Sequence, residues 1–256
     1  MLKKEFPILE YDSDRDAFIR PHKFGVNKVE GIAERCVLCF FSEAIENILK
    51  EYPHKAVARF KMEGFAVPVY EIEYKGQKIC LLQAAVGGPV AAGQIEEIAE
   101  MGCKKFLVCG SCGVLQDMAV GHLIIPTAAV RDEGTSYHYV APSREIEADP
   151  VVADKIATSL TEQKVPFVKG KTWTTDAIYR ETTAKIKQRK EEGCITVEME
   201  AAAYIAVAEY LGVEFGQILY AGDSLGGEEW DHRDYNNRAD VRDVVLRAAL
   251  DTALKL

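Results

Sequence analysis

Glu198 and Glu200 stand where an apolar run meets an alanine-rich stretch, in Gly193-Cys-Ile-Thr-Val-Glu-Met-Glu-Ala-Ala-Ala203. A buried carboxylate without a partner costs several kcal/mol, and no Lys or Arg lies between Gly193 and Leu211 to offset it. If 197–200 stays extended, both side chains point the same way, whereas on a helix they diverge by about 200°. A polyhydroxylated ligand could supply the missing donors, for example a ribose diol giving two hydrogen bonds to one carboxylate. Either glutamate could instead serve the first turn of the following helix, where acidic groups meet exposed N–H groups and the positive end of the macrodipole.

Further candidates also follow apolar runs. Val86-Gly87-Gly88-Pro89 closes one run and opens a helix, an arrangement that lets backbone N–H groups approach an anion and that also makes an ordinary turn. Gly110-Ser111-Cys112-Gly113 repeats the pattern with a hydroxyl, suited to an oxyanion or phosphate, or again to a plain glycine turn. It is not a nucleophile elbow, because the position two before Ser111 is Cys109 rather than glycine. Asp223 ends the run from Gln217 and could pass a proton to a leaving group or cap a turn. Trp173 and Tyr179, among the hydroxyls of 172–181, are either the wall of a flat heterocycle pocket or core residues. The polar segment 131–144, with Tyr137, His138 and Tyr139, reads as a functional loop or lid.

The elements that must hold these groups alternate along the chain. Apolar runs rich in β-branched and aromatic residues predict strands at 35–41, 55–60, 66–74, 77–86, 104–109, 121–130, 165–172, 194–198 and 215–222. Amphipathic or Ala-rich stretches predict helices at 42–51, 89–101, 150–163, 181–191, 199–211 and 237–255. With no linker, repeat or low-complexity tract, this is an α/β chain forming a single domain over 1–256, with a mixed central β-sheet flanked by helices. In such folds ligands gather at the carboxyl ends of strands, where the candidates lie.

Composition narrows the function classes. A net charge of −9 with scattered acids argues against nucleic-acid partners and anionic membrane surfaces. No apolar stretch approaches the ~18 residues of a membrane span, and 1–10 is too charged for a signal peptide, so a soluble, cytoplasmic protein is expected. The pairs Cys36/Cys39 and Cys109/Cys112 imitate zinc-binding spacing. Residues three apart on a strand point to opposite faces, however, so the seven cysteines read as free buried thiols and no metal is expected.

Taken in order, Gly87-Gly88-Pro89, Gly110-Ser-Cys-Gly113, Val120-Gly-His-Leu-Ile-Ile-Pro-Thr-Ala-Ala-Val-Arg-Asp-Glu-Gly134, Thr174-Thr-Asp176, Val197-Glu-Met-Glu-Ala-Ala-Ala203 and the strand-end Asp223 form a set. That set resembles the purine and uridine nucleoside phosphorylase family, which includes nucleosidases, over about residues 80–256. The resemblance implies a nucleoside phosphorylase-like α/β domain in a homo-oligomer, from dimer to hexamer, with sites at subunit boundaries. It assigns Glu200 to the ribose hydroxyls, Met199 to the sugar face and Glu198 to the neighbourhood of base or ribose. Asp223 would match the acid that assists a purine leaving group, Tyr179 would line the base pocket, and Ser111 with Gly88 would contact phosphate. Phosphate is then a co-substrate, and no cofactor is implied.

Three departures stand out. The Gly-Asp-Pro-x-Arg segment of the family's phosphorylases is replaced by Phe40-Phe-Ser-Glu-Ala-Ile45, and the arginine three before the second glycine turn's hydroxyl is Val108. Arg59, Arg131, Arg233 or Arg238 could substitute. The uridine-type Gln-x-Arg is also missing after Tyr179, which favours a purine. The expectation is therefore phosphorolysis of a purine nucleoside to free base and ribose 1-phosphate. The alternatives are hydrolysis on the same fold and non-catalytic nucleoside binding.

Overall fold

Six stretches coil into α-helices and ten extend into strands among residues 6–256, which the computed structural model describes. Half of the 1–10 segment read for a signal peptide lies outside the described residues. The strands are β1 (Arg35–Cys39), β2 (His54–Met62), β3 (Phe65–Tyr74), β4 (Gln77–Gln83), β5 (Lys105–Val114), β6 (Leu123–Asp132), β7 (Glu145–Glu147), β8 (Phe167–Thr175), β9 (Cys194–Glu198) and β10 (Glu214–Ser224). The helices are α1 (Ser42–Glu51), α2 (Gly88–Met101), α3 (Pro150–Glu162), α4 (Thr183–Glu191), α5 (Ala201–Leu211) and α6 (Ala239–Ala253). Among these residues no helix is long and apolar enough to cross a membrane.

One mixed sheet runs in the order β2-β3-β4-β1-β5-β9-β8-β6-β10, and β10 pairs back onto β5. The last five strands therefore close on themselves, while β2, β3 and β4 form an antiparallel meander at the far edge. Side chains on a strand alternate between faces, so each side of the sheet has its own core. Cys36 and Leu38 of β1 pack with residues of α2 and α5 on one side. Val37 and Cys39 pack with α1, α3 and α6 on the other. Cys36 and Cys39 thus face opposite layers, as their spacing predicts, and all seven cysteines are free and buried.

Five strands outrun their expected ends, and three of them, β5, β8 and β10, carry candidate residues as they do so. Gly110 to Gly113, read as a turn, is the continuation of β5: Gly110 pairs with Leu219, Cys112 with Ala221 and Gly113 with Val197. Glycines inside a strand mark close approach as well as turns. A Cβ at Gly110 would lie 2.9 Å from the Phe40 ring, and one at Gly113 would lie 3.0 Å from Val197. β8 likewise runs to Thr175 and β10 to Ser224, carrying Thr174 and Asp223 to the mouth of the closed strands.

Candidate functional site

β9 ends at Glu198, and Met199 and Glu200 form a bend before α5. Glu200 has neither strand nor helix geometry, with φ −137° and ψ −24°, so the two carboxylates part company. Glu198 turns back on the helix start: its Oε2 accepts the N–H groups of Glu200 at 2.7 Å and Ala201 at 2.6 Å. Its Oε1 accepts the Thr174 hydroxyl at 2.6 Å, and Thr174 Oγ1 in turn accepts the Ala202 N–H at 3.0 Å. Helix N-termini leave such donors unmatched, and Glu198 with Thr174 satisfies those of α5. Of the two arrangements left open by the sequence, the extended one with both carboxylates on one side does not occur, and Glu198 meets the N–H groups at the start of α5.

Glu200 points instead toward the start of α2, where Oε1 accepts the Gly87 N–H at 2.6 Å. Gly87 adopts φ +96°, a conformation that side-chain-bearing residues rarely take. The bend is held from behind by buried Gln94, which accepts the Ala85 N–H and donates to the Gln83 carbonyl, both at 2.9 Å. Gly88 is buried, and a Cβ there would meet Thr135 Oγ1 at 2.8 Å and Ala203 at 3.3 Å. Its lack of a side chain thus lets α2, α5 and the 131–144 loop meet. Burial and the Glu198 charge push the Glu200 carboxyl above its usual range, against the backbone N–H groups of Gly87 and Met199. Burial pushes Glu198 up too, opposed by its three donors.

The second cluster lies across Gly113. Asp223 Oδ1 would be 3.4 Å from a Cβ at Gly113, which faces Val197, the residue before Glu198. Burial raises the Cys112 thiol, and the charges of Glu198 and Asp223 raise it further. Asp223 Oδ2 accepts the indole N–H of Trp230 at 2.7 Å. Glu181, just past the turn Ile178–Arg180, is pushed up to about 7 by partial burial and by the Asp223 charge, with Lys185 opposing. Glu181 was expected inside α4, but the Thr182 hydroxyl accepts the Lys185 N–H at 3.4 Å and begins the helix after it.

The other predicted residues are placed as follows. Ser111 is half-buried on β5, opposite Tyr220 and beside Gly222. Met199 is half-buried between the two glutamates. Trp173 is a core residue whose indole N–H donates to Asp132 at 3.0 Å. Tyr179 is 95% exposed. Because β8 is longer than expected, the turn carrying Tyr179 lies beyond the strand ends and swings the ring outward. The 131–144 loop is pinned rather than lid-like: Arg131 donates to Ser136 Oγ, Ser143 Oγ and the carbonyls of Ala141 and Val140.

That commitment removes Arg131 as a replacement for the missing phosphate-binding arginines. Arg233 donates to the Met118 carbonyl and Asp231, and Arg238 to the Arg233 carbonyl. Arg59 is exposed on β2, at the far edge of the sheet. Sequence reasoning missed Gln94, Trp230 and the capping role of Thr174. Gln94 shares the apolar face of α2 with Ala91, Ile95 and Ile98, a legible signal, whereas Trp230 sits in an acidic loop that carries none.

Comparison with known proteins places this arrangement. Residues 34–255 match a family model described as the phosphorylase superfamily. Over 170 residues the chain is 29% identical to a guanosine phosphorylase of Halorubrum lacusprofundi, covering 64% of this chain and 70% of the relative. Over 192 residues it is 27% identical to a purine nucleoside phosphorylase of Plasmodium falciparum, covering 73% and 78%. A uridine phosphorylase of Thermococcus kodakarensis is 32% identical over 163 residues, 57% of this chain and 58% of the relative. In fold, the chain matches a crystal structure of uridine phosphorylase from Vibrio fischeri ES114 with a TM-score of 0.75, at 22% identity over 90% of this chain and 95% of that one. A purine nucleoside phosphorylase from Toxoplasma gondii matches with a TM-score of 0.74, at 18% identity over 88% and 91%.

Proposed function

Because the chain belongs to the phosphorylase superfamily, whose model spans residues 34–255, we propose that it cleaves the N-glycosidic bond of a nucleoside with phosphate, releasing free base and ribose 1-phosphate. The observation that carries this reading is Glu200. Its carboxyl group is nearly buried at a strand end, held on one oxygen by the Gly87 N–H and raised by its surroundings. A sugar diol donating to this group would relieve that cost, and the carboxylate would stabilise positive charge growing on the sugar as the C–N bond breaks. Asp223 stands on the other side of the Gly113–Val197 contact, where the base would lie. Met199 between the glutamates is positioned for the sugar face, and Ser111 and Gly88 are candidates for phosphate. A purine is the favoured base, consistent with the names of the Halorubrum and Plasmodium relatives and with the absence of the uridine-type motif after Tyr179. Exposed Val86 and Tyr179, flanking the cluster in sequence, support a homo-oligomer that covers them.

A second reading, hydrolysis, is favoured by one specific feature. The Phe40 ring lies against Gly110, beside Ser111, and Arg131, Arg233 and Arg238 are held by other partners. A phosphate dianion would then meet an apolar ring and carboxylates, whereas water would not need a cation. A nucleoside panel incubated with and without phosphate separates the readings. Phosphate-dependent ribose 1-phosphate supports phosphorolysis, phosphate-independent free ribose supports hydrolysis, and tight binding without products refutes both.

A further inference from the structure

The chain that leaves Asp223 doubles back on it. The Leu225 N–H donates to the Val114 carbonyl at 2.8 Å, and Ser224 and Asp231 exchange backbone hydrogen bonds of 2.8 and 2.9 Å, which close a loop beside the end of β5. The loop is fastened at two further points: the Lys190 ammonium donates to the Gly226 carbonyl at 3.3 Å, and the Arg233 guanidinium to the Met118 carbonyl at 2.7 Å. Trp230 is thereby returned to Asp223, whose Oδ2 accepts its indole N–H at 2.7 Å. Asp223 Oδ1, 3.4 Å from where a Cβ at Gly113 would lie, accepts no hydrogen bond among the described residues. The indole is nevertheless 59% exposed. His232 meets it edge-on, with ring centres 5.3 Å apart and planes at 88°, and Tyr235 stands behind His232 at 4.9 Å. A large ring left in water forgoes the free energy of burial, yet this one is fixed in place by a hydrogen bond, a backbone bridge and a neighbouring ring.

We propose that Trp230 is the platform on which the nucleobase stacks, with Asp223 Oδ1 at the edge of the same base. The proposal rests on the nucleoside cleavage argued above and names the group that grips the base. Flat heterocycles and aromatic side chains attract in offset stacks, and a two-ring purine covers more of an indole than a pyrimidine does. The N–H and the stacking face belong to one side chain, so the bond to Asp223 also sets the plane in which the base must lie. Because the ring is held before a ligand arrives, little ordering entropy is lost on binding.

The test measures kcat and KM for inosine with saturating phosphate, and intrinsic fluorescence during titration with hypoxanthine, in wild type, Trp230→Phe and Trp230→Leu. Trp230→Leu should raise KM by roughly tenfold, the loss expected when a stacked ring is removed. Trp230→Phe keeps a ring, so its KM should stay within about twofold of wild type while kcat falls by about threefold through the lost N–H. The protein has two tryptophans, and Trp173 is sealed in the core, so hypoxanthine should quench the wild-type emission to saturation and leave that of Trp230→Phe unchanged. A Trp230→Leu KM within about twofold of wild type overturns the proposal, as does an equal rise in both variants or equal quenching in Trp230→Phe. Saturable quenching without turnover of inosine refutes the cleavage reading and keeps the platform, whereas turnover without quenching refutes the platform alone. Circular dichroism and the melting temperature verify that each variant is folded, and a tryptophan that served only the loop's stability would lower the melting temperature and leave KM unmoved.

Discussion

The Glu198–Glu200 end of the cluster and the Glu181–Asp223 end contain the same chemistry in opposite settings. At the first, both carboxylates are nearly sealed from solvent and are met by backbone N–H groups and a threonine hydroxyl. At the second, both are partly open, and an indole N–H reaches one of them. The number of donors, more than burial, separates a structural carboxylate from one left for a ligand. Glu198 meets three donors, while Glu200 meets one and retains capacity for a substrate.

The strongest way to break this comparison is to remove Glu198. Glu198→Ala strands the N–H groups of Glu200 and Ala201 and the hydroxyl of Thr174, and urea denaturation should show a loss of about 3 kcal/mol. A loss well below that would mean that its bonds do not hold the start of α5. Glu200→Gln should do the reverse: turnover falls by roughly tenfold or more, while the melting temperature stays near wild type because the amide oxygen can still accept the Gly87 N–H. Near-normal turnover would remove Glu200 from the chemistry.

Smaller effects sharpen the second end. Trp230→Phe keeps an aromatic ring but takes the hydrogen bond from Asp223, which should lower kcat on a purine nucleoside by about threefold. No change in a steady-state assay would mean that the indole N–H does not tune Asp223. Stability should also depend on pH through Glu181, which holds its proton up to about 7 when folded, against 4.5 for an ordinary glutamate. Within that window the folded state binds more protons than the unfolded one, so this contribution is full below about 4.5 and disappears as pH rises through about 7. Melting temperatures should therefore fall more between acid and neutral pH in wild type than in Glu181→Gln, and equal falls would contradict the assignment.

Much of this architecture was legible because periodicity is a strong signal. The alternation that put Cys36 and Cys39 on opposite faces of β1 follows from side-chain geometry, and the Ala-rich run after Glu200 had to be a buried helix. The failures share one cause: they depended on neighbours that a local reading cannot see. Gly110 to Gly113 carries turn residues, yet β10 supplies a parallel partner and Phe40 uses the space that glycine leaves. The separate fates of Glu198 and Glu200 hinge on the backbone angles of one bend, and the exposure of Tyr179 on how far β8 extends. Trp230 reaches Asp223 from a loop whose composition suggests only solvent.

The most direct measurement is a crystal structure of the protein with a non-cleavable purine nucleoside analogue. The account predicts sugar hydroxyls within hydrogen-bond distance of Glu200 and the base edge beside Asp223. A ligand whose sugar lies away from Glu200, or whose base lies away from Asp223, would contradict it.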